Sequence, residues 1–406
     1  MRRPSVAALV AMLAGALPAL AAGAAMAQGP GPGPVFAPES SGTASLARTV
    51  IAGTARADVI AVHQDGDGSL RVSVNGGLTL VPAGEVSGLV IDGGAGRDTI
   101  TAEAGVTTAL TIFGGAGDDV IIGGAGNDVI YGGPGNDRIT SGAGAAYIDG
   151  GLGNDRLSAA GPAMLLGGAG DDQLSGGAGG LMAGGPGADT YSGGNAATRV
   201  FAQRGEPVGS SGKVVLVSLS SRDAAGRLPG SALRINGTTA FAQQVASDVT
   251  TLLSLPEGRR LLTALDAAGR AVSLKTSSSG NRTTIPNPAA AFLRPGGVHG
   301  PGSASSVFYD PYETVIENGA QAWQSRPPVV GLCHELIHAA NAAGGTLQPG
   351  TTTSGVPKLE LQAIGLPFKG VAFRFGPGSP LSSGNPRYLT ENGLRALLGL
   401  PARTAY

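Results

Sequence analysis

The sequence predicts a multidomain chain, an all-β parallel β-roll followed by an α+β domain, from three observations. A hexapeptide, Gly-Gly-x-Gly-x-Asp, recurs seven times between residues 93 and 189. Beyond about residue 195 this pattern gives way to apolar residues at helical spacing. Within the later region "PPVVGLCHELIHAANAAGG", residues 327–345, reads as a helix bounded by prolines and glycines.

The 406 residues leave room for two or three domains, each with its own core. Seventy glycines disfavour long helices and suit tight turns. The formal net charge of -1 gives no reason to expect nucleic acid or an anionic membrane as a partner. Cys333 is the single cysteine, so no intrachain disulfide forms. In an oxidising compartment the chain needs another clamp, and bound metal is the candidate.

At the N-terminus, Arg2 and Arg3 precede an apolar stretch from Val6 to about Ala22, which ends in Ala25-Met26-Ala27. This predicts a Sec-type signal peptide over 1–27, cut before Gln28, with no stable membrane anchor afterwards. Residues 28–48, rich in proline and glycine, read as a linker. From 49 the runs "DVIAV", "LRVSV" and "GLVI" alternate with glycine and polar turns and read as strands. The β-rich region is expected to span 49–195, with repeats over 93–192.

In the repeats an apolar residue sits two places after each aspartate: Ile100, Ile121, Ile130, Ile139, Leu157, Leu174 and Tyr191. Glycines let the backbone turn tightly and bring carbonyls together, while one aspartate per turn supplies a hard oxygen ligand suited to Ca2+. Asp119, Asp128, Asp137, Asp155, Asp172 and Asp189 are the expected calcium ligands. The repeat resembles the nonapeptide of the RTX (repeats-in-toxin) family, which implies a calcium-loaded parallel β-roll. Two nonapeptides per coil put alternate turns on opposite edges. The turns at 114, 132, 150, 167 and 184 then share one edge and keep their aspartates. On the other edge 123–128 is intact, but "SGAGAA", "AAGPAM" and "GGAGGL" have lost the carboxylate. Calcium is expected mainly on the first edge.

Residues 196–224 read as a linker and 225–406 as a second domain. Phe241, Val245, Val249, Leu252 and Leu253 lie along one helical face, interrupted at Pro256. "AVSLKTSS" and "SSVFYDP" read as strands. On the 329–342 helix His334 and His338 are one turn apart and face the same side, so both reach one ion. Glu335 is placed to take a proton from a metal-activated water, the arrangement of a zinc hydrolase. No histidine or aspartate follows His338; the downstream carboxylates are Glu360, Glu391 and the C-terminal group of Tyr406. Glu360, 22 residues beyond His338, is the preferred third Zn2+ ligand. Cys333 reads as a buried apolar residue rather than a ligand.

"YDP", "HELIHA", "ELQAIGLP" and "TENGLRALLGLPARTAY" resemble the zinc metallopeptidases among bacterial type III-secreted effectors, over roughly residues 230–406. That resemblance implies a zincin fold with zinc on His334, His338 and Glu360, and Glu335 as catalytic glutamate. Thr390, Glu391, Asn392, Arg403 and Tyr406 match the family's closing segment. The export signal and the calcium repeats depart from the family pattern, so the family's targets inside host cells are not carried over. The expectation is an exported zinc endopeptidase of the gluzincin type, acting on protein or peptide in the periplasm, at the cell surface or in the medium. The alternative is a calcium-dependent surface or adhesive binding protein whose peptidase domain is inactive or serves maturation only. Glu335, which a decayed peptidase often loses, favours the enzyme.

Overall fold

Most short β-branched runs before residue 220 become strands of a stacked coil, and the glycine turns between them become its corners. The computed structural model describes residues 49–86, 89–219, 229–278, 280–314, 326–375 and 379–406. The expected signal peptide and the 28–48 linker lie outside the described residues. Two units are distinguished, one built from Ala44–Ser220 with Ala246–Leu255, the other mainly from Ser221–Val245 and Pro256–Tyr406.

The first unit is a parallel β-solenoid. From Val90 onward successive strands alternate between a 9-stranded and a 10-stranded sheet, and neighbours within each sheet are one coil apart. In one sheet Ile100, Ile121, Ile139, Leu157, Leu174 and Tyr191 stand in register; in the other Ile112, Ile130, Ile148, Leu165, Met182 and Val200 do. All twelve are buried in one continuous core. Every coil therefore adds the same apolar layer, which is why the position two places after each aspartate has to be large and apolar. At the corners Gly133 has φ 110°, a region that a side chain disfavours.

The solenoid runs past its expected C-terminal bound and begins where the β-rich region is expected to begin. Arg199–Gln203, Val208–Ser210 and Lys213–Val217 extend the two sheets through residues read as linker. The hexapeptide has faded there, but Val200 and Ala202 still alternate into the core. At the start, Val50–Thr54 and Val59–Gln64 pair in parallel with the first repeat strands. A hairpin of Leu70–Val74 and Gly77–Val81 then closes one sheet, its turn made by Asn75 (φ 51°) and Gly76 (φ 86°).

The second unit is α+β. Its four-stranded sheet runs Leu233–Asn236, Val272–Thr276, Ser305–Tyr309 and Arg282–Thr284, with only the last antiparallel. The expected helix break falls at Leu255, between Thr239–Ser254 and Pro256–Ala268. The Pro328–Gly344 helix begins with proline where no amide donor is needed and ends at Gly345 in the left-handed conformation. It is buried over Pro328–Ala343, touching the Ser305–Tyr309 strand and the Pro256–Ala268, Lys358–Ile364 and Glu391–Leu398 helices. No described helix is long and apolar enough to cross a membrane.

Candidate metal centres

Along one edge of the solenoid the turn aspartates form a ladder. The amide of Asp98 donates to Asp119 Oδ1 at 2.8 Å, that of Asp119 to Asp137 at 2.8 Å, and that of Asp137 to Asp155 at 2.7 Å. Asp155 continues to Asp172 and Asp172 to Asp189, at 2.8 and 2.9 Å. The second oxygen, Oδ2, of each of these six aspartates is buried without a hydrogen bond. Burial, with facing carboxylates adding to it, pushes Asp137 up to about 8, Asp155 to about 7 and Asp172 to about 9. Buried carboxylate oxygens stacked this way suit a hard cation such as Ca2+. Asp128 lies on the opposite edge, where its Oδ1 accepts from the Leu110 amide and its Oδ2 is likewise buried and unpaired. The two coils of 17 residues are shortened at 160–162 and 177–179, in turns without a carboxylate.

In the second unit His334, His338 and Glu360 converge. The imidazole Nε2 atoms are 3.0 Å apart, and Glu360 Oε2 lies 3.2 Å from the first and 3.1 Å from the second. All three side chains are buried. Three lone-pair donors this close demand a proton or a cation between them. Zinc at about 2.0–2.1 Å from each tetrahedral donor would space them about 3.3 Å apart, near the observed triangle. Two imidazoles and one carboxylate are also a donor set of catalytic zinc sites.

Residues 229–406 match the M91 peptidase family, whose description is effector protein. The RTX calcium-binding nonapeptide repeat matches four times, over 90–106, 111–139, 123–157 and 164–180. No curated protein and no solved structure matches the chain. The chain thus joins calcium-binding-type repeats to a region similar to a peptidase family.

In the M91-like region the His-Glu-x-x-His helix is braced by side chains from other elements. Glu391, weighed in the sequence as a rival ligand, meets the other nitrogen of His334: its Oε2 lies 2.9 Å from Nδ1. Arg395 Nε donates to Glu391 Oε1 at 2.6 Å, and Arg403 Nη1 to Oε2 at 3.3 Å. Burial alone would raise the Glu391 carboxyl; His334 and the two arginines outweigh it and hold it low. Thr283 donates to Glu335 Oε2 at 2.6 Å, which orients that carboxylate from the sheet side. Cys333 is buried, its thiol pushed up by burial, and stands outside the cluster.

Several residues at these sites stand outside the set of expected ligands and catalytic residues. Asp98 carries the full hexapeptide but stands 21 residues before Asp119, outside the 17- and 18-residue spacing. Asp58 joins the ladder by donating its amide to Asp98 Oδ1 at 2.7 Å, although its turn has lost the repeated glycines. Thr283 had no signal at all, because nothing local marks a residue that reaches the helix from another element. Arg395, by contrast, stands one helical turn after Glu391 in "TENGLRALLGLPARTAY", a spacing that marks the pair.

Proposed function

We propose that this chain is an exported zinc-dependent endopeptidase for protein or peptide substrates, stabilised by a calcium-binding β-roll. The observation that carries the reading is the buried triangle of His334, His338 and Glu360 on and beside a helix that also carries Glu335. Zinc bound there supplies Lewis acidity toward a substrate carbonyl and toward water. Glu335 takes the water proton on its carboxylate and returns it to the leaving amine nitrogen. The Thr283 hydroxyl fixes the carboxylate for both transfers. Glu391 holds the His334 ring by Nδ1, leaving the Nε2 lone pair for the metal. Burial keeps bulk water from competing within the site.

Asp119, Asp137, Asp155, Asp172 and Asp189 are the calcium-binding carboxylates of one edge, and Asp128 serves the other. In a chain with one cysteine these ions take the role that disulfides play in other exported proteins. Export rests on the signal-like residues 1–27 and on the need of the ladder for calcium, which is abundant outside the cytosol and scarce within it.

The test is the metal content and casein cleavage of the purified full chain beside its Glu335→Gln variant. About one zinc per chain is expected in both, with turnover in the first alone. Cleavage undiminished in the variant, or in chain stripped of zinc, would sink the reading.

A further inference from the structure

The ladder of aspartates has a hidden rung at each end. Asp58 stands one coil before Asp98, because Val59 pairs with Thr99. Glu206 stands one coil after Asp189, because Val208 pairs with Tyr191. Neither turn keeps the glycine hexapeptide, and both carboxylates differ from the six between them. The interior Oδ2 atoms are buried and unpaired. The terminal carboxylates are instead filled by donors from the chain. Asp58 Oδ2 accepts from the Thr54 amide at 2.6 Å and from its hydroxyl at 3.0 Å, and Asp58 Oδ1 accepts from the Asn75 side-chain amide.

At the far end one nitrogen gathers three oxygens. Gln203 Nε2 donates to the Gly185 carbonyl at 2.9 Å, to the Gly187 carbonyl at 3.1 Å and to Glu206 Oε1 at 3.0 Å. Gly185 and Gly187 are the second and fourth residues of the last intact hexapeptide, 184–189. Two main-chain carbonyls of a repeat turn and the carboxylate of the next rung are the oxygen set that a hard cation takes. Here a partly positive amide nitrogen sits among them at hydrogen-bond rather than coordination distance. The other Glu206 oxygen is closed as well, by the Gln203 amide at 2.7 Å and the Tyr191 hydroxyl at 3.1 Å.

We infer that the Gln203 side-chain amide occupies a cation position, so that the calcium ladder stops at Asp189 and its last rung is closed without metal. The inference rests on the calcium reading of the roll. Its consequence is that the ends of the stack hold together when calcium is absent, while the interior depends on the ion. Terminal coils of a repeat stack have no next coil to satisfy them, and a tethered donor does so without leaving an ion exposed to solvent.

The experiment compares calcium bound per full-length chain, and thermal melting, for wild type and Gln203→Glu. The glutamate keeps the length but replaces the donor by a carboxylate facing three oxygens. It is expected to bind one more calcium ion per chain than wild type, to melt several degrees lower in chelator, and to melt as wild type in calcium. An unchanged calcium count overturns the inference, as does a Gln203→Glu chain that fails to fold even in saturating calcium. Gln203→Ala gives an independent reading: its loss of melting temperature should be larger in chelator than in calcium, and an equal loss overturns the surrogate role. Wild type that binds no calcium would instead overturn the calcium reading itself, so the two failures are distinct.

Discussion

His334 Nδ1 lies 2.9 Å from Glu391 Oε2, on the ring edge opposite the nitrogen that meets Glu360. The imidazole is therefore held between two buried carboxylates with different tasks. A proton on Nδ1, shared with Glu391, leaves the Nε2 lone pair directed into the cluster. Glu391→Gln should weaken zinc binding about 10- to 100-fold, the range for a lost outer partner of a metal-bound histidine. Glu360→Ala should weaken it further. Competition against a chromophoric zinc chelator measures both, and normal zinc binding by Glu360→Ala would reverse the two roles.

Glu335→Gln should retain zinc and lose on the order of 10^2- to 10^4-fold in kcat, the range for a general base. Thr283 donates to the same carboxylate at 2.6 Å. Thr283→Val should therefore lower kcat by about tenfold, as expected for a lost hydrogen bond to a charged group, with KM and zinc content unchanged. A Thr283→Val enzyme altered in KM alone would show that the hydroxyl acts on substrate binding instead.

The metal-free roll should become more stable on acidification. Asp137, Asp172 and Asp189 are pushed up to about 8, 9 and 8, by burial first and by neighbouring carboxylates after it. A carboxyl whose pKa is higher folded than unfolded binds more protons in the folded state, so stability falls as pH rises through that window. In chelator the melting temperature should climb between pH about 8.5 and about 5.5. With saturating calcium the slope should reverse, because protons then compete with the ion. Circular dichroism melts in both buffers check the sign.

Asp155 and Asp128 should differ in weight. Asp155 accepts from Asp137 and donates its amide to Asp172, so it couples two neighbouring turns. Asp128 accepts from Leu110 on the other edge, where the following turns carry no carboxylate. Asp155→Ala should raise the calcium midpoint for folding several-fold more than Asp128→Ala. Equal midpoints in a calcium titration would contradict the one-edge ladder.

The sequence by itself determined the architecture of the repeats, because each coil repeats one local rule. Glycine permits the corner, aspartate follows it, and an apolar residue two places on turns inward; Ile139 and Leu157 obey the rule from neighbouring coils. It likewise determined the His-Glu-x-x-His helix, since prolines, glycines and a four-residue spacing are local signals. Tertiary structure alone decided which distant groups meet. Glu360 and Glu391 were both candidates in the sequence, and only folding put one on Nε2 and the other on Nδ1 of His334. Pairing between coils, not composition, made Asp58 and Glu206 rungs of the ladder after their glycines had gone. Register in a stacked sheet is fixed by the inward apolar layers, so a turn keeps its place in the stack even when its own motif no longer announces it.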